Sequence, residues 1–456
     1  MDGRTFIEFG LPVIGLLLGI LGILLGLRAA RRQRLVDDLP TSKTSGVFIG
    51  LVEVKGTAES ERPLQSYLAG LPCVHYVWGV DERWSRTVTE TYTDSEGHTQ
   101  TRMRQESGWT TVANGGETQM FYLQDDCGVV LIRPEGAKIE PATIFERTCG
   151  AFDPLYYGKG PAGAVANSDG VRRFHEVAIS LHQQLFLVGQ ARERQDLVAA
   201  EIAADKSAPM FLISVRSEKQ ISRGFGGAFW GWEIAGLLFC VAGFFAHDAA
   251  LGLDPGRRWW IYSAAAAGYL AVYTLGWVGM VYNSMIDLRQ RMRQGWSQVD
   301  VQLRRRHDLI PNLVNLVQGY RDYEKNLQTE LAALRSESAA TPPGVSGPDY
   351  RAMTQTVALI AERYPELNAN ETFGRLRENL VDTEQRIALA RGYFNEIATF
   401  YNTRLEQVPD RYVAALARMK IQPLMEANEF ERAPVKVELD KTDQGAKPSV
   451  QAGVSA

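Results

Sequence analysis

At 456 residues the chain has room for about two or three domains. Hydrophobic residues make up 45% of it and the net charge is −4, a balance that argues against a dedicated nucleic-acid binder. Its 4 cysteines (Cys73, Cys127, Cys149, Cys240) stand far apart with no C-x-x-C spacing, which suits a reducing compartment better than a disulfide framework or a zinc site.

The first element is an apolar run from about Phe6 to Leu27, long enough to cross ~30 Å of hydrocarbon at ~1.5 Å per residue. Asp2 and Glu8, which dilute a basic n-region, and the lack of Ala-x-Ala spacing behind the run separate it from a cleaved signal peptide. Within the run Gly15 and Gly19, then Gly22 and Gly26, recur at fourth positions and permit close helix packing, among the spans or between protomers. Arg28, Arg31, Arg32 and Arg34 follow, so the positive-inside rule places the N-terminus outside and the next region in the cytoplasm. Residues 35–45 read as a linker.

From Gly46 the pattern is β-like: GVFIGLVEV, CVHYVWGVDERW, then the Thr-rich TVTETYT. Asp94-Ser95-Glu96-Gly97 marks a hairpin turn with TQTRMRQ returning, Asn114-Gly115-Gly116 a second turn, and Asp126-Cys127-Gly128 a third. QQLFLVGQARE and MFLISVRS are later strands, and Gly158–Asp169, rich in Gly and Ala, reads as a flexible loop. The ordered motifs Gly56-Thr57-Ala58-Glu59, Cys73-Val74-x-Tyr76, Phe121-x-Leu123-x-Asp125-Asp126-x-Gly128, Ile132-x-Pro134-x-Gly136-Ala137 and Leu187-Val188-Gly189 carry a resemblance. The region resembles the GIDE-type domain of mitochondrial membrane-anchored E3 ubiquitin ligases, which lies between two membrane spans. Ligase activity does not follow, because the closely spaced Cys and His pairs of a RING are missing.

A second apolar span, about Ala228–Ala246, is preceded by Arg216, Lys219 and Arg223; a third, about Trp259–Tyr282, is followed by Arg289, Arg291 and Arg293. This balance predicts a hairpin of two spans with both large polar regions on the cytoplasmic side. Glu233 sits one turn into the second span among Phe229, Trp230 and Trp232. A carboxylate at membrane depth is a functional candidate, and the aromatic belt beside it offers the alternative that it reaches the interface.

After the third span, Met285, Leu288, Met292, Trp296, Val299 and Leu303, then Ile310, Leu313, Val317 and Tyr320, keep one helical stripe. Pro311 predicts a kink or break near Asp308–Ile310. A Pro- and Gly-rich loop, Thr341–Asp349, precedes a helix over about Tyr350–Tyr364. Asn368 with Glu371 makes a capping-box-like start for a third helix to about Val408, and Pro409-Asp410 opens a fourth to about Met425. Residues 431–456 are polar and read as a disordered tail. Trp296-Ser297-Gln298-Val299-Asp300-Val301-Gln302-Leu303, Asp308-Leu309-Ile310-Pro311-Asn312-Leu313, Tyr364-Pro365-Glu366-Leu367 and Thr383-Glu384-Gln385-Arg386-Ile387-Ala388 make residues 283–430 resemble the LemA family. That resemblance implies a bacterial protein with a hydrophobic anchor and a cytoplasmic antiparallel helical bundle, with no established reaction.

Arg289 and Arg293 beyond the third span read either as topology signal on a solvated face or as a contact for anionic headgroups. Asp300, Arg304 and Arg305 form a second charged group, which pairs along the helix or meets a partner's carboxylates or phosphates. His175-Glu176 opens like H-E-x-x-H, but Ile179 stands where the second histidine belongs, so no metal is expected. The reading is an α+β membrane protein: three transmembrane helices (within residues 1–34, 228–246 and 259–282), a small β-rich domain (46–218) and an antiparallel helical bundle. Its expected function is a homo-oligomeric scaffold in the bacterial inner membrane, neither an enzyme nor a cofactor protein. Expected partners are membrane lipids, further copies of the chain, and a membrane protease or envelope protein, with no nucleic acid. The alternative is a sensor or adaptor whose β domain binds a peptide or lipid.

Overall fold

A computed structural model describes residues 10–93, 99–194, 199–206, 208–320 and 371–425. In chain order it opens with α1 (Leu11–Asp37), β1 (Thr41–Ser42), β2 (Gly50–Glu59), β3 (Leu64–Gln65), β4 (Pro72–Thr93) and β5 (Thr99–Thr118). Then come β6 (Phe121–Gln124), β7 (Val129–Ile132), β8 (Lys138–Glu140), β9 (Ala142–Gly150), the short α2 (Pro154–Gly158) and β10 (Ser168–Ser180). β11 (Gln184–Glu193), β12 (Ala200–Ala203) and β13 (Leu212–Ser214) complete the strands. The remaining described helices are α3 (Glu218–Ala250), α4 (Trp259–Tyr320), α5 (Glu371–Glu406) and α6 (Asp410–Leu416). The chain divides into two compact units, Met1–Gln302 with Gln385–Leu424, and Leu303–Glu384 with Met425–Ala456.

In the first unit the strands form two sheets. In the larger, β2, β6, β7, β12 and β11 pair in succession, and β11 pairs back onto β2 from Gln184↔Thr57 to Ala191↔Gly50. This closes a barrel-like ring, with β1, β13 and β8 attached. Alternation sends Val52, Val54, Leu123, Ile132, Leu185, Leu187 and Ile202 into its interior. Val74 of β4 and Ile179 of β10 join the same core, so the second sheet packs on the first.

The second sheet runs β3-β4-β10-β9, with β5 also on β4. Its smaller core of Val80, Cys149, Tyr156 and Phe174 lies beside a polar network. Arg172, fully buried, donates from Nη2 to Glu82 at 3.0 Å and from Nη1 to the Tyr156 and Pro161 carbonyls at 2.7 and 2.8 Å. Burial pushes the Glu82 carboxyl up, but bonds from Ser168, Arg172 and Tyr156 outweigh it and hold the group below its ordinary value. Glu176 accepts backbone N–H bonds from Tyr67, Leu68 and Ala69 at 2.7–3.1 Å. Arg172, Glu82 and Glu176 thus each have their partners, the condition for tolerating them inside.

Several local expectations change. Asn114-Gly115-Gly116 is not a turn but part of β5, paired with Gly79, Trp78 and Val77. A Cβ on Gly115 would stand 2.9 Å from the Trp78 indole nitrogen, so this glycine makes room for the ring across the strand pair. Residues 35–45 are no linker, since α1 continues to Asp37 and Leu35, Val36 and Leu39 are buried. The 158–169 loop is pinned by Arg172, which also donates to the Gly163 carbonyl at 2.7 Å. β4 is continuous through the Thr-rich stretch and pairs with β5 up to Thr93↔Thr99; the 94–97 turn between them lies outside the described residues.

Three helices are long and apolar enough to cross a membrane: Leu11–Asp37, Glu218–Ala250 and the stretch Trp259–Asn312. Leu17, Leu24, Leu238 and Leu275 are exposed on them, an outward face that suits lipid better than water. Pro311 does not end α4, which runs on to Tyr320. Beside it the Asn312 side chain donates to the Asp308 carbonyl at 3.1 Å. In the first unit α4 and α5 run antiparallel, with Trp296 against Phe394 (ring centroids 5.9 Å apart) and Arg289 beside Tyr401. In the second unit Leu303, Ile310, Phe373 and Leu380 are buried, and Arg306 lies 3.5 Å from Glu384. α6 ends at Leu416, short of the expected Met425. The helix over 350–364, the Asn368 cap and the 431–456 tail lie outside the described residues.

Candidate functional site

The feature that joins the parts of the first unit is a joint at the end of α1. Here β11 is apolar on both faces: Leu185 and Leu187 point into the ring, while Phe186 and Val188 point outward. The outward pair meets Leu35, Val36 and Leu39 of the α1 end, with Leu212 and with Ile221 of α3. Burying each such side chain contributes ~1.5–3 kcal/mol, so the first apolar helix is fixed to the ring over more than one turn.

Charge completes the joint. Arg34 grips Asp410 with two bonds, Nη1 to Oδ2 at 2.7 Å and Nη2 to Oδ1 at 2.8 Å. Arg404 donates from Nε to Asp38 at 3.0 Å and from Nη2 at 2.9 Å, and its Nη1 lies 3.7 Å from Asp410. The charges alternate along Arg34, Asp410, Arg404 and Asp38, and both acids are buried. Burial pushes the Asp38 carboxyl up and Arg404 draws it back. Planar guanidinium groups suit this work because two parallel bonds fix orientation as well as charge. An outer pair, Arg31–Asp287 at 3.3 Å, is exposed and adds little.

A second set of contacts ties the start of the β region to α5. Gly46 lies so close that an added Cβ would be 2.8 Å from Leu389, and Phe48 meets Tyr393 with centroids 5.9 Å apart. Burial pushes the Tyr393 hydroxyl up to about 12. On the outer face of the ring, buried Glu53 accepts from Thr41 at 2.6 Å and sits 3.0 Å from Lys55, which also binds Glu218 of α3 at 2.7 Å.

The glycines singled out in the first span all face α3. An added Cβ would be 2.8 Å from Gly243 at Gly15, 3.1 Å from Cys240 at Gly19, and 2.7 Å from Gly236 at Gly22. The order reverses along the two helices, so they run antiparallel with backbones in near contact. Gly26 faces Glu233, which is 7% exposed and does not reach outward to an interface. Its Oε2 accepts from the Tyr269 hydroxyl at 3.1 Å, joining α1, α3 and α4 at one point. Of the charged candidates on α4, Arg293 and Arg304 are exposed, whereas Arg289 and Asp300 are half-buried. Arg305 is half-buried too, 3.5 Å from Asp382. His175 stands 3.7 Å from Asp81, and Glu176 is spent on the backbone N–H groups of the 67–69 loop.

The comparisons with known proteins divide the chain along these lines. Residues 295–439 match the LemA family. The LemA region so defined begins within α4 and contains α5 and α6, including Arg404 and Asp410. Residues 89–246 match a second family, GIDE, described as E3 ubiquitin ligase. This GIDE region starts within β4 and runs through most of α3. The chain is also similar to magnetosome protein MamQ of Magnetospirillum gryphiswaldense, 25% identical over 173 residues, covering 31% of this chain and 63% of the relative. MamQ 1 and MamQ 2 of Paramagnetospirillum magneticum match at 22% identity over the same length. The chain thus spans somewhat less than two thirds of these curated relatives.

Neither Arg34 nor Asp410 was legible as a site residue. Arg34 reads as one more positive charge after a span, and Asp410 as a helix start after Pro409. The usable signal was Leu35-Val36-x-x-Leu39, which continues an apolar helical face past the arginines and so marks a buried segment.

Proposed function

We propose that this protein is a membrane-anchored, non-enzymatic scaffold in the bacterial inner membrane, with its N-terminus outside and its strands and LemA region in the cytoplasm. The observation that carries this reading is the Arg34–Asp410–Arg404–Asp38 chain. It couples the first apolar helix to the LemA region by groups spent on one another rather than turned toward a substrate. The three apolar helices and the arginines after the first support the anchoring, and the LemA match supports a bacterial setting. Copies held in one membrane share an orientation, which favours a homo-oligomer. Membrane lipids, and a membrane protease or envelope protein, are its proposed partners, with the exposed Arg293 on offer to them. The test is affinity capture of intact complexes from native membranes, together with the mass of the detergent-solubilised protein. A reproducible partner set and a multimeric mass are expected; a partnerless monomer at micromolar concentration contradicts the reading.

One cleft favours a second reading as an adaptor. A cavity of about 300 Å³ beside the base of α1 and α3 is lined by Arg32, Lys138, Met210, Phe211 and Phe225. Arg32 and Lys138 outnumber the one carboxylate in the lining, Asp205, and cations over aromatic and aliphatic walls suit an anionic lipid headgroup and its first methylenes. Binding of the full-length protein to anionic but not zwitterionic vesicles, lost in Arg32→Ala, would favour this role.

A further inference from the structure

β4 and β5 outrun the sheet they belong to. β10 pairs with β4 only as far as Trp84, and β5 pairs with no strand but β4 among the described residues. Beyond Ser85 the two strands form a ribbon about 25 Å long, at about 3.3 Å per residue, and no strand among the described residues pairs with either outer edge. A lone two-stranded ribbon is marginal in water, and an open edge is a template for another strand. β5 has no proline, Met103 and Gln105 are exposed on it, and its charges, Arg102, Arg104 and Glu106, are of both signs.

The charges on the ribbon select the occupant of that edge. Arg86 pairs with Glu106 across the ribbon at 2.9 Å, and Arg104 lies 3.5 Å from Glu90 on the same face. Suppose β5 of two molecules pairs antiparallel with Gln105 opposite Gln105. Arg104 of each then faces Glu106 of the other, and the row Arg86, Glu106, Arg104, Val88 crosses four strands without like charges side by side. Neighbouring registers match the charges less well. Centring on Arg104 sets two arginines opposite each other, centring on Glu106 two glutamates, and centring on Met103 sets Arg102 against Arg104; centring on Ser107 opposes Glu106 to Gly108 and Arg104 to Thr110, which clashes with nothing but forms no ion pair.

We infer that the β5 edge is the contact between copies of this chain, in the register centred on Gln105. The inference rests on the homo-oligomer reading above and names its interface. Directly opposed residues in an antiparallel pair have Cα atoms about 4.5–5.5 Å apart, within reach of a disulfide. Thr87, across the ribbon from Gln105, would be three strand spacings, about 14 Å, from its copy.

The test uses the full-length protein in native membranes with the exposed Cys127→Ser, the other cysteines being buried. Gln105→Cys and Thr87→Cys are oxidised in parallel, and the uncross-linked protein is weighed in detergent. The expected result is a disulfide-linked dimer for Gln105→Cys and none for Thr87→Cys. Arg104→Glu should abolish the Gln105→Cys dimer, and adding Glu106→Arg together with Arg86→Glu, which keeps the cross-ribbon pair opposite in charge, should restore it. A multimeric mass without Gln105→Cys cross-linking, or with equal cross-linking at both positions, overturns this interface and leaves the homo-oligomer standing. A monomeric mass without cross-linking overturns both.

Discussion

In the closed sheet the strands from β2 round to β11 leave no edge, and its interior is filled by Leu123, Ile132, Leu187 and Ile202. In the open sheet the interior beside Phe174 holds a buried Arg172–Glu82 pair, and β5 remains an edge 20 residues long. The interior of the closed sheet therefore rests on water exclusion, which is indifferent to pH, and its buried carboxylates, Glu53 and Glu201, lie outside that apolar core. The open sheet rests in part on charge that must stay ionised. The ring is what α1 and the LemA region are fastened to, and the open sheet is what the molecule extends away from it.

The strongest way to break this contrast is Glu82→Gln, which strands the buried Arg172 charge and should cost ~3–5 kcal/mol at neutral pH. The folded-state value of Glu82 is lowered, so its contribution is present above the ordinary carboxylate pKa and lost as pH falls through the lowered value. The gap in apparent Tm between Glu82→Gln and the parent should accordingly close as the solution is acidified. Leu187→Ala in the ring should cost ~2–5 kcal/mol, with a Tm gap that stays constant over the same pH range. Hydrogen exchange sharpens the distinction: on acidification β4 and β10 should lose protection before β2 and β11.

Arg34→Ala tests the joint. It removes two charge-assisted bonds but leaves Arg404 near Asp410, so a loss of ~1.5–3 kcal/mol is expected, read as earlier exchange of α6 and the end of α1. The smallest effect belongs to the ribbon. Arg86→Ala breaks an exposed pair with Glu106 and should change Tm by the equivalent of ~0.2–1 kcal/mol. A large loss there would mean that the ribbon is held by more than its own two strands.

Local pattern was enough for the parts of the fold that local physics decides. The apolar runs, the stripe from Met285 to Leu303 and the strand around Leu187 all follow from periodicity and length. The ring did not follow, because its closure depends on β2 meeting β11 across the intervening chain. The Asn114-Gly115-Gly116 reading failed because glycine serves a turn and a close cross-strand ring equally well, and only Trp78 opposite decides between them. Arg172 is a polar residue at a strand position, and no spacing announces that Glu82 and three carbonyls await it. Of the site, the glycine faces were legible from their spacing, whereas Arg34 and Asp410 lie 376 residues apart and meet only in the fold.

The account depends on the strands and the LemA region lying on one side of the membrane, since Arg34, Asp38, Phe48 and Gly46 all touch residues beyond the second and third spans. Reporter fusions after residue 206 and after residue 424 measure this directly. Both reporters should be active on the same face of the bilayer; activity on opposite faces would contradict the joint and the scaffold built on it.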